Sequence, residues 1–221
     1  MAAMAAKSRS GYDLHPSVLT TQKTIAGLKQ KTGRTLDEWI LLLKQKGPED
    51  EKSRREWLKT KHGLGTNYSL WIAEQSLGKA SNGSAEAYLL AADRYVEEMF
   101  AGPKAALRPI YAELLKLGRS MGSDVKVCPC QTMVPLYRNH VFAQIKPASR
   151  DRIDLGLALK DMRVPKRLID TGGFAKKDRI THRIEIRSLK DIDEEVKRWF
   201  KTAYDMDGHG RRGEAPARLS A

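Results

Sequence analysis

Apolar side chains recur at the three- and four-residue spacing of amphipathic helices over residues 19–77. The clearest example is "TLDEWILLLKQKGP", where Thr35 is the expected N-cap and Glu38 completes a capping box. Its apolar positions form one stripe: Leu36, Trp39, Ile40 and Leu43. No alternating pattern interrupts the region, so we predict a small all-helical N-terminal module over residues 19–77.

A run of small and turn-forming residues, "GKASNGSAE", follows this module and predicts a linker over residues 78–86. Two further helical patterns occupy residues 85–100 and 103–118. Pro109 lies inside the second pattern, which indicates either a kink or a later helix start.

The apolar period then changes to two. The alternating segments are "VKVCPCQTMVPLYR", "HVFAQIKP", "RIDLGLALK" and "THRIEIRS", and they predict four strands. Their short connections favour antiparallel pairing. An amphipathic helix over residues 189–205, capped by Ser188, is expected to cover one face of the sheet. We therefore predict the α+β fold class. Its α+β domain over residues 87–205 has an antiparallel sheet of about four strands, packed by helices.

The chain is basic, with a formal net charge of +13. This charge permits nucleic acid or another polyanion as a partner. No stretch approaches the ~18 apolar residues of a membrane span, so we expect no membrane partner. Only two cysteines occur, which favours a reducing cytoplasm over a secreted disulfide scaffold. Residues 1–18 are expected to form a flexible tail rather than a signal peptide, and residues 206–221 a disordered tail.

The segment "KTKHGLGTNYSLWIA" has the spacing of a helix-hairpin-helix, with two glycines flanking one apolar residue. In such a turn, backbone N–H groups at the start of the second helix bind phosphates. The candidate nucleic-acid-binding residues are Lys59, Lys61, His62, Gly63, Gly65, Thr66 and Asn67. A second interpretation stays open, in which Gly63 only ends one helix and Thr66 or Asn67 caps the next.

His182 shares an apolar strand face with Ile184 and Ile186. It is either a core residue or part of a pocket beside the sheet. In the second case, residues on the preceding strands are expected to contribute: Tyr137, Arg138 and Lys146.

Cys128 and Cys130 are weak metal candidates, because a structural zinc ion needs four ligands and the usual two-residue spacer is missing. We therefore expect no bound metal. The segment "KDMRVPKRLIDTGGFAKKDR" carries seven basic and three acidic residues. It is either a loop that binds a phosphate backbone or an anionic ligand, or a solvated surface loop.

The motifs of common enzyme classes are missing from the sequence. It contains no P-loop, no GxGxxG after a strand and no HExxH, and its GxSxG match, "GRSMG" at residues 118–122, follows a helical pattern rather than the strand that the hydrolase motif requires. His182 as an acid or base has no visible partner residue. The sequence therefore favours a binding protein over an enzyme, and we expect no cofactor.

Two stretches resemble known bacterial families. "KTGRTLDEWILLLKQKG" with "EWLKTKHGLGTNYSLWIA" resembles the helical module called domain of unknown function 4287. "VPLYRNHVFAQIKP" with "THRIEIRSLKDIDEEVKRWFKTAY" resembles domain of unknown function 5655. The second family is similar in outline to predicted transport proteins and proposed intracellular iron chaperones, and is found fused to nuclease-like modules. The resemblance covers Tyr137, Phe142, His182 and Trp199 and implies no catalytic role for them.

Two functions are compatible with these patterns. The first is a cytoplasmic binding protein that contacts nucleic-acid phosphates through the 59–67 turn and an anionic ligand or partner through the α+β domain. The second is a small-molecule or metal-handling domain whose helical module serves protein contacts.

Overall fold

The computed structural model describes residues 11–78, 85–162 and 166–208. Most of the predicted linker and of both predicted tails lies outside these residues. The chain divides into two compact units, and the boundary falls between Ala91 and Ala92. The described part of the N-terminal unit comprises residues 14–78 and 85–91. That of the C-terminal unit comprises residues 11–13, 92–162 and 166–208.

Four helices form most of the N-terminal unit, as predicted: α1 (Pro16–Thr32), α2 (Leu36–Lys46), α3 (Glu51–His62) and α4 (Thr66–Ser76). The capping box of α2 is confirmed. Thr35 Oγ1 accepts a hydrogen bond from the Glu38 N–H at 3.2 Å, and Glu38 Oε2 accepts one from the Thr35 N–H at 2.7 Å. This exchange satisfies backbone donors that the start of a helix leaves without partners.

One apolar cluster holds the four helices together. Its buried members are Leu28, Trp39, Leu43, Leu58, Ile72 and Ala73. The buried Arg54 ties α3 to both of its neighbours, since its guanidinium donates to Pro48 O and to Ser76 Oγ, each at 2.7 Å. The N-terminal part of α3 is therefore fixed by tertiary contacts as well as by its Asp50 cap.

α5 (Ala85–Met99) follows, and a 3₁₀ segment, Gly102–Leu107, leads into α6 (Arg108–Ser120). Pro109 lies in the first turn of α6. A later helix start, and not a kink, therefore accommodates this proline, because its missing N–H is one that a first turn leaves unpaired anyway.

The C-terminal unit contains a fully antiparallel sheet, which confirms the predicted α+β class. It has six strands: β1 (Lys126–Val127), β2 (Val134–Tyr137), β3 (Val141–Pro147), β4 (Ile153–Leu157), β5 (Ile169–Asp170) and β6 (His182–Ile186). The spatial order is β1-β2-β3-β4-β6-β5.

The first predicted strand is in fact two. Residues 128–133 form a turn that joins β1 to β2, and Pro129 supplies no N–H for a ladder. The short β5 lies within the basic segment at 160–179, for which the sequence predicts a loop.

One face of the sheet is covered by helices, as the pattern of β4 predicts. The register places Leu155 of β4 beside Ile145 on one side and Ile184 on the other. α7 (Glu194–Gly208) packs on the sheet, where Phe142 lies 6.0 Å from Phe200 and 5.5 Å from Tyr204 between ring centroids. This face forms the core of the unit.

The predicted helix over residues 189–205 is divided. Ser188 and Asp191 form a capping box around a 3₁₀ turn, Leu189–Asp191. The α-helix begins afterwards at Glu194, where Asp193 Oδ1 accepts a hydrogen bond from the Val196 N–H at 3.1 Å. A second capping side chain directly after the first therefore starts α7 later than the apolar pattern indicates.

Polar side chains occupy the other face of β4 and β6. Asp154 lies 2.9 Å from Arg152 and 3.1 Å from Arg183, and Glu185 pairs with the same two guanidinium groups. These alternating charges neutralise one another across the strands, although Arg152 Nε and Asp154 Oδ1 do not form an aligned hydrogen bond. None of the helices in the described part of the chain combines the length and the apolar character that a membrane span needs.

Candidate functional site

The 59–67 turn begins as an ordinary helix stop. Gly63 has a left-handed backbone, with φ 65°, at the C-terminal end of α3. Its N–H donates to Lys59 O at 3.1 Å, and the Leu64 N–H donates to Leu58 O at 3.2 Å. The first bond is the 5→1 bond of the αL C-cap, and the two bonds together satisfy carbonyls at the end of the helix. Leu64 packs against the apolar cluster and so anchors the turn.

The start of α4 is different from that of the three helices before it. Side chains of His15, Thr35 and Asp50 cap α1, α2 and α3, whereas Gly65 precedes α4 and no side chain caps it. The expectation that Thr66 or Asn67 is the N-cap is wrong, because both lie inside the first turn of α4. The first N–H groups of this helix therefore point outward without a side-chain acceptor.

Exposed residues surround these N–H groups. Both glycines are exposed, and a Cβ at either would meet nothing within 4 Å. Lys61 is exposed, and Lys59 pairs with Glu56 at 3.3 Å on the same face of α3. Thr66 and Asn67 are exposed as well. Five of the seven predicted residues are thus exposed in or next to this turn, and Lys59 is half-buried.

His62 is the exception. Its ring packs edge-on against Trp57 and Trp39, at centroid distances of 4.5 Å and 5.2 Å. The Nε2 atom is buried and has no hydrogen-bond partner. Burial, together with the nearby charge of Arg34, lowers the pKa of this imidazole. The structure therefore places His62 against the tryptophans of the helical unit and not beside the two lysines.

A cavity of about 330 Å³ lies next to the turn, between α1 and α4. Its lining residues are Thr20, Thr21, Thr24, Asn67, Tyr68 and Trp71. Two aromatic rings and four small polar side chains therefore lie beside the uncapped helix start. No sequence motif predicts this cavity, and its local signal is weak: Thr20 and Thr24, like Tyr68 and Trp71, lie one helical turn apart.

The four predicted pocket residues of the C-terminal unit are not brought together. His182 is 3% exposed on the covered face of the sheet, and its Nδ1 lies 2.9 Å from Thr181 Oγ1. Lys146 lines a separate cavity with Lys104 and Arg150.

Arg138 and Tyr137 make other contacts and do not line a pocket with His182 or Lys146. Arg138 donates to Asp124 at 2.9 Å and stacks over the Tyr204 ring at 4.1 Å. Tyr137 is half-buried, and this burial raises the pKa of its hydroxyl to about 12. His182 therefore lies in the core, and its three proposed neighbours do not form a pocket with it.

The two cysteines lie in the turn after β1. Cys128 is buried, and its burial raises the pKa of the thiol to about 12. Burial also raises the pKa of the half-buried Cys130. The residues that the structure describes contain no group of three or more His, Cys, Asp and Glu side chains placed to hold a metal ion.

The basic segment at 160–179 lines a cavity of about 550 Å³, which we call the two-lysine cavity. Lys160 and Lys177 line it, and Phe174 and Met206 are among its apolar residues. Residues 163–165 of the segment lie outside the described residues.

Asp207 forms part of the wall of this cavity, and its side chain is 1% exposed. Its Oδ2 accepts hydrogen bonds from the Asn139 and His140 N–H groups at 2.8 Å each, and Arg179 donates to its Oδ1. Burial opposes ionisation, but the hydrogen bonds from His140 and Asn139 outweigh it, so the pKa of Asp207 is lowered. Since Asp207 and the β2–β3 hairpin are far apart in sequence, no local pattern predicts this contact.

Comparison with known families agrees with this division. The model for a domain of unknown function (DUF5655) matches residues 96–207, just over half of the chain. The chain belongs to the DUF5655 family. A second model, for a domain of unknown function (DUF4287), matches residues 20–76. The predicted two-module organisation is therefore confirmed. No curated protein matches the chain, and no solved structure matches it.

Proposed function

We propose that this DUF5655 protein binds nucleic-acid phosphates through the 59–67 turn. The observation that carries this proposal is the start of α4, where Gly65 leaves the first N–H groups without a side-chain cap. Such N–H groups, together with the positive end of the helix dipole, favour an anion. The absence of a Cβ at Gly63 and Gly65 allows a phosphate to approach the backbone closely.

Lys59 and Lys61 supply the long-range attraction that this proposal requires. The net charge of +13 adds a general preference for polyanions. The neighbouring cavity favours a single strand over a duplex, because Tyr68 and Trp71 offer aromatic surface on which an unpaired base can stack. A single strand would therefore place a phosphate at the turn and an unpaired base in the cavity.

Reversing the charge of both lysines tests the proposal. Lys59→Glu with Lys61→Glu is expected to weaken binding of a labelled single strand by at least about tenfold, and to reduce its salt dependence by about 1.4 in log–log slope. Fluorescence anisotropy across a salt series measures both quantities. The matched control is Lys44→Glu with Lys46→Glu, which makes the same charge change in the last turn of α2. Equal losses in the two variants, or no binding at low salt, would exclude the turn as the site.

A substitution that adds a capping side chain to α4 tests whether the turn binds phosphate or only ends one helix and starts the next. Gly65→Ser places a hydroxyl where it can accept hydrogen bonds from the free N–H groups, so the free energy of unfolding should rise by about 0.3 kcal/mol. The same change should weaken single-strand binding by about tenfold, because the donors are then occupied. Thermal unfolding and anisotropy measure the two effects. Gly27→Ser within α1 is the control, since a Cβ there also meets nothing. If Gly65→Ser binds as well as the original chain, the turn is only a helix stop.

We propose further that the C-terminal unit binds a small anionic ligand in the two-lysine cavity. Among the described residues, neither Lys160 nor Lys177 has a carboxylate partner, which distinguishes this cavity from the paired charges on β4 and β6. If nucleic-acid binding fails, this small-molecule function remains, with the helical unit serving protein contacts.

A further inference from the structure

The two-lysine cavity has an unusual backbone. Among the described residues, Lys160 and Lys177 are the two non-glycine positions with positive φ, 55° and 59°, and both line this cavity. An L-residue avoids the left-handed region, and lysine lacks the short polar group with which asparagine and aspartate stabilise it locally. Backbone conformations of this kind concentrate at ligand sites. Both lysines are therefore held in place by the surrounding fold.

The loop that carries Lys177 is tied down. The Lys177 N–H donates to Phe174 O at 3.1 Å, and the Asp178 N–H donates to Gly173 O at 2.8 Å. At the base of the loop, the Thr171 N–H donates to Thr181 O at 3.0 Å. The loop thus presents the lysine and the aromatic ring from a fixed backbone.

Charges in the cavity favour a ligand with a single negative charge. Arg179 and Asp207 neutralise each other in the wall. The remaining charged residues are the two lysines and Asp178, which together leave one net positive charge. A polyphosphate would need more cations than this. A monocarboxylate would neutralise the one net positive charge of the cavity.

Apolar surface faces the same space. Phe174 is 56% exposed, Met206 reaches the cavity from α7, and Ala158 and Ala175 complete the apolar lining. A volume of about 550 Å³ lies within the usual range for small-molecule sites. A hydrocarbon group bound in this space would cover the exposed ring.

We infer that the two-lysine cavity selects a monocarboxylate with an aromatic or branched apolar body. Lys160 and Lys177 bind the carboxylate, and Phe174 and Met206 contact the body. This inference rests on the proposed anionic-ligand function of the C-terminal unit and is independent of nucleic-acid binding by the 59–67 turn.

The test uses the full chain and two probes, 3-phenylpropionate and 4-methylpentanoate, each with its neutral amide, and acetate as a carboxylate without a body. Titrations followed by NMR amide shifts give the dissociation constants. We expect both carboxylates to bind at least about tenfold more tightly than their amides and than acetate. Lys160→Gln with Lys177→Gln should remove this preference over the amides, and Phe174→Ala should weaken the two probes but leave acetate unchanged.

Lys176→Gln is the matched control, because this exposed lysine lies beside Lys177 but does not line the cavity. It should change affinity by less than about twofold. If acetate binds as tightly as the probes and the double lysine variant abolishes both, the anion site stands and the inferred selectivity is wrong. If no carboxylate saturates the protein, or if the double variant has no effect, the anionic-ligand function fails as well.

Discussion

Phe142→Ala is expected to destabilise the C-terminal unit by about 3–5 kcal/mol. Phe142 is fully buried between the sheet and α7, where its ring contacts Phe200 and Tyr204. Removing the ring loses its transfer free energy and leaves a cavity that two packed aromatic rings cannot fill without moving. A loss of this size is a large part of the stability of a typical domain.

Urea unfolding followed by far-UV circular dichroism measures the loss. Leu189→Ala is the control, because Leu189 is a large apolar residue of the same unit that is 53% exposed. Its cost should stay within about 0.5 kcal/mol. Equal costs for the two substitutions would contradict the packing of α7 on this face of the sheet.

Asp207→Asn is expected to destabilise the same unit by about 2–3 kcal/mol at neutral pH. The amide cannot accept all the hydrogen bonds that reach the carboxylate from Asn139, His140 and Arg179. The loss is smaller than for a fully buried ion pair, because His140 and Arg179 still reach solvent. Asp205→Asn, which alters a surface pair with Lys201 on the same helix, is the control and should have little effect.

The cost of Asp207→Asn should depend on pH. The pKa of Asp207 is lowered in the folded protein because the hydrogen bonds from His140 and Asn139 outweigh the opposing effect of burial. The stability that its charge contributes is therefore complete above the unfolded pKa of about 3.9, and is lost as the pH falls through the lower folded value. The difference in unfolding free energy between the original protein and Asp207→Asn should be the same at about pH 7 and about pH 5, and smaller at about pH 3. A difference that persists unchanged at pH ~3 would show that the carboxylate charge does not stabilise the fold.

Local signals in the sequence predict much of this fold. The capping box of Thr35 and Glu38, the stop at Gly63 and the alternation of β4 each depend on residues only a few positions apart. Such patterns act through backbone hydrogen bonds and side-chain direction, so one segment is enough to reveal them. The family resemblance depends on the same segments.

The remaining features depend on contacts that no single segment contains. His62 follows two lysines and looks like a third cation, but the distant Trp39 decides its environment. Lys160 and Lys177 line the same cavity although they are 17 positions apart, because the sheet brings the two ends of the segment between them together. A left-handed lysine also leaves no compositional trace, since glycine is the residue that normally marks such a backbone.

The position of Asp207 has a consequence for how the C-terminal unit can be isolated. α7 runs to Gly208, and its last turn carries the side chain that holds the tip of the β2–β3 hairpin. A fragment that ends at residue 205 would keep every strand of the sheet and most of the helix. It would nevertheless lack the acceptor for the Asn139 and His140 N–H groups. Fragment boundaries, protease trimming and C-terminal fusions should therefore leave the chain intact through Gly208.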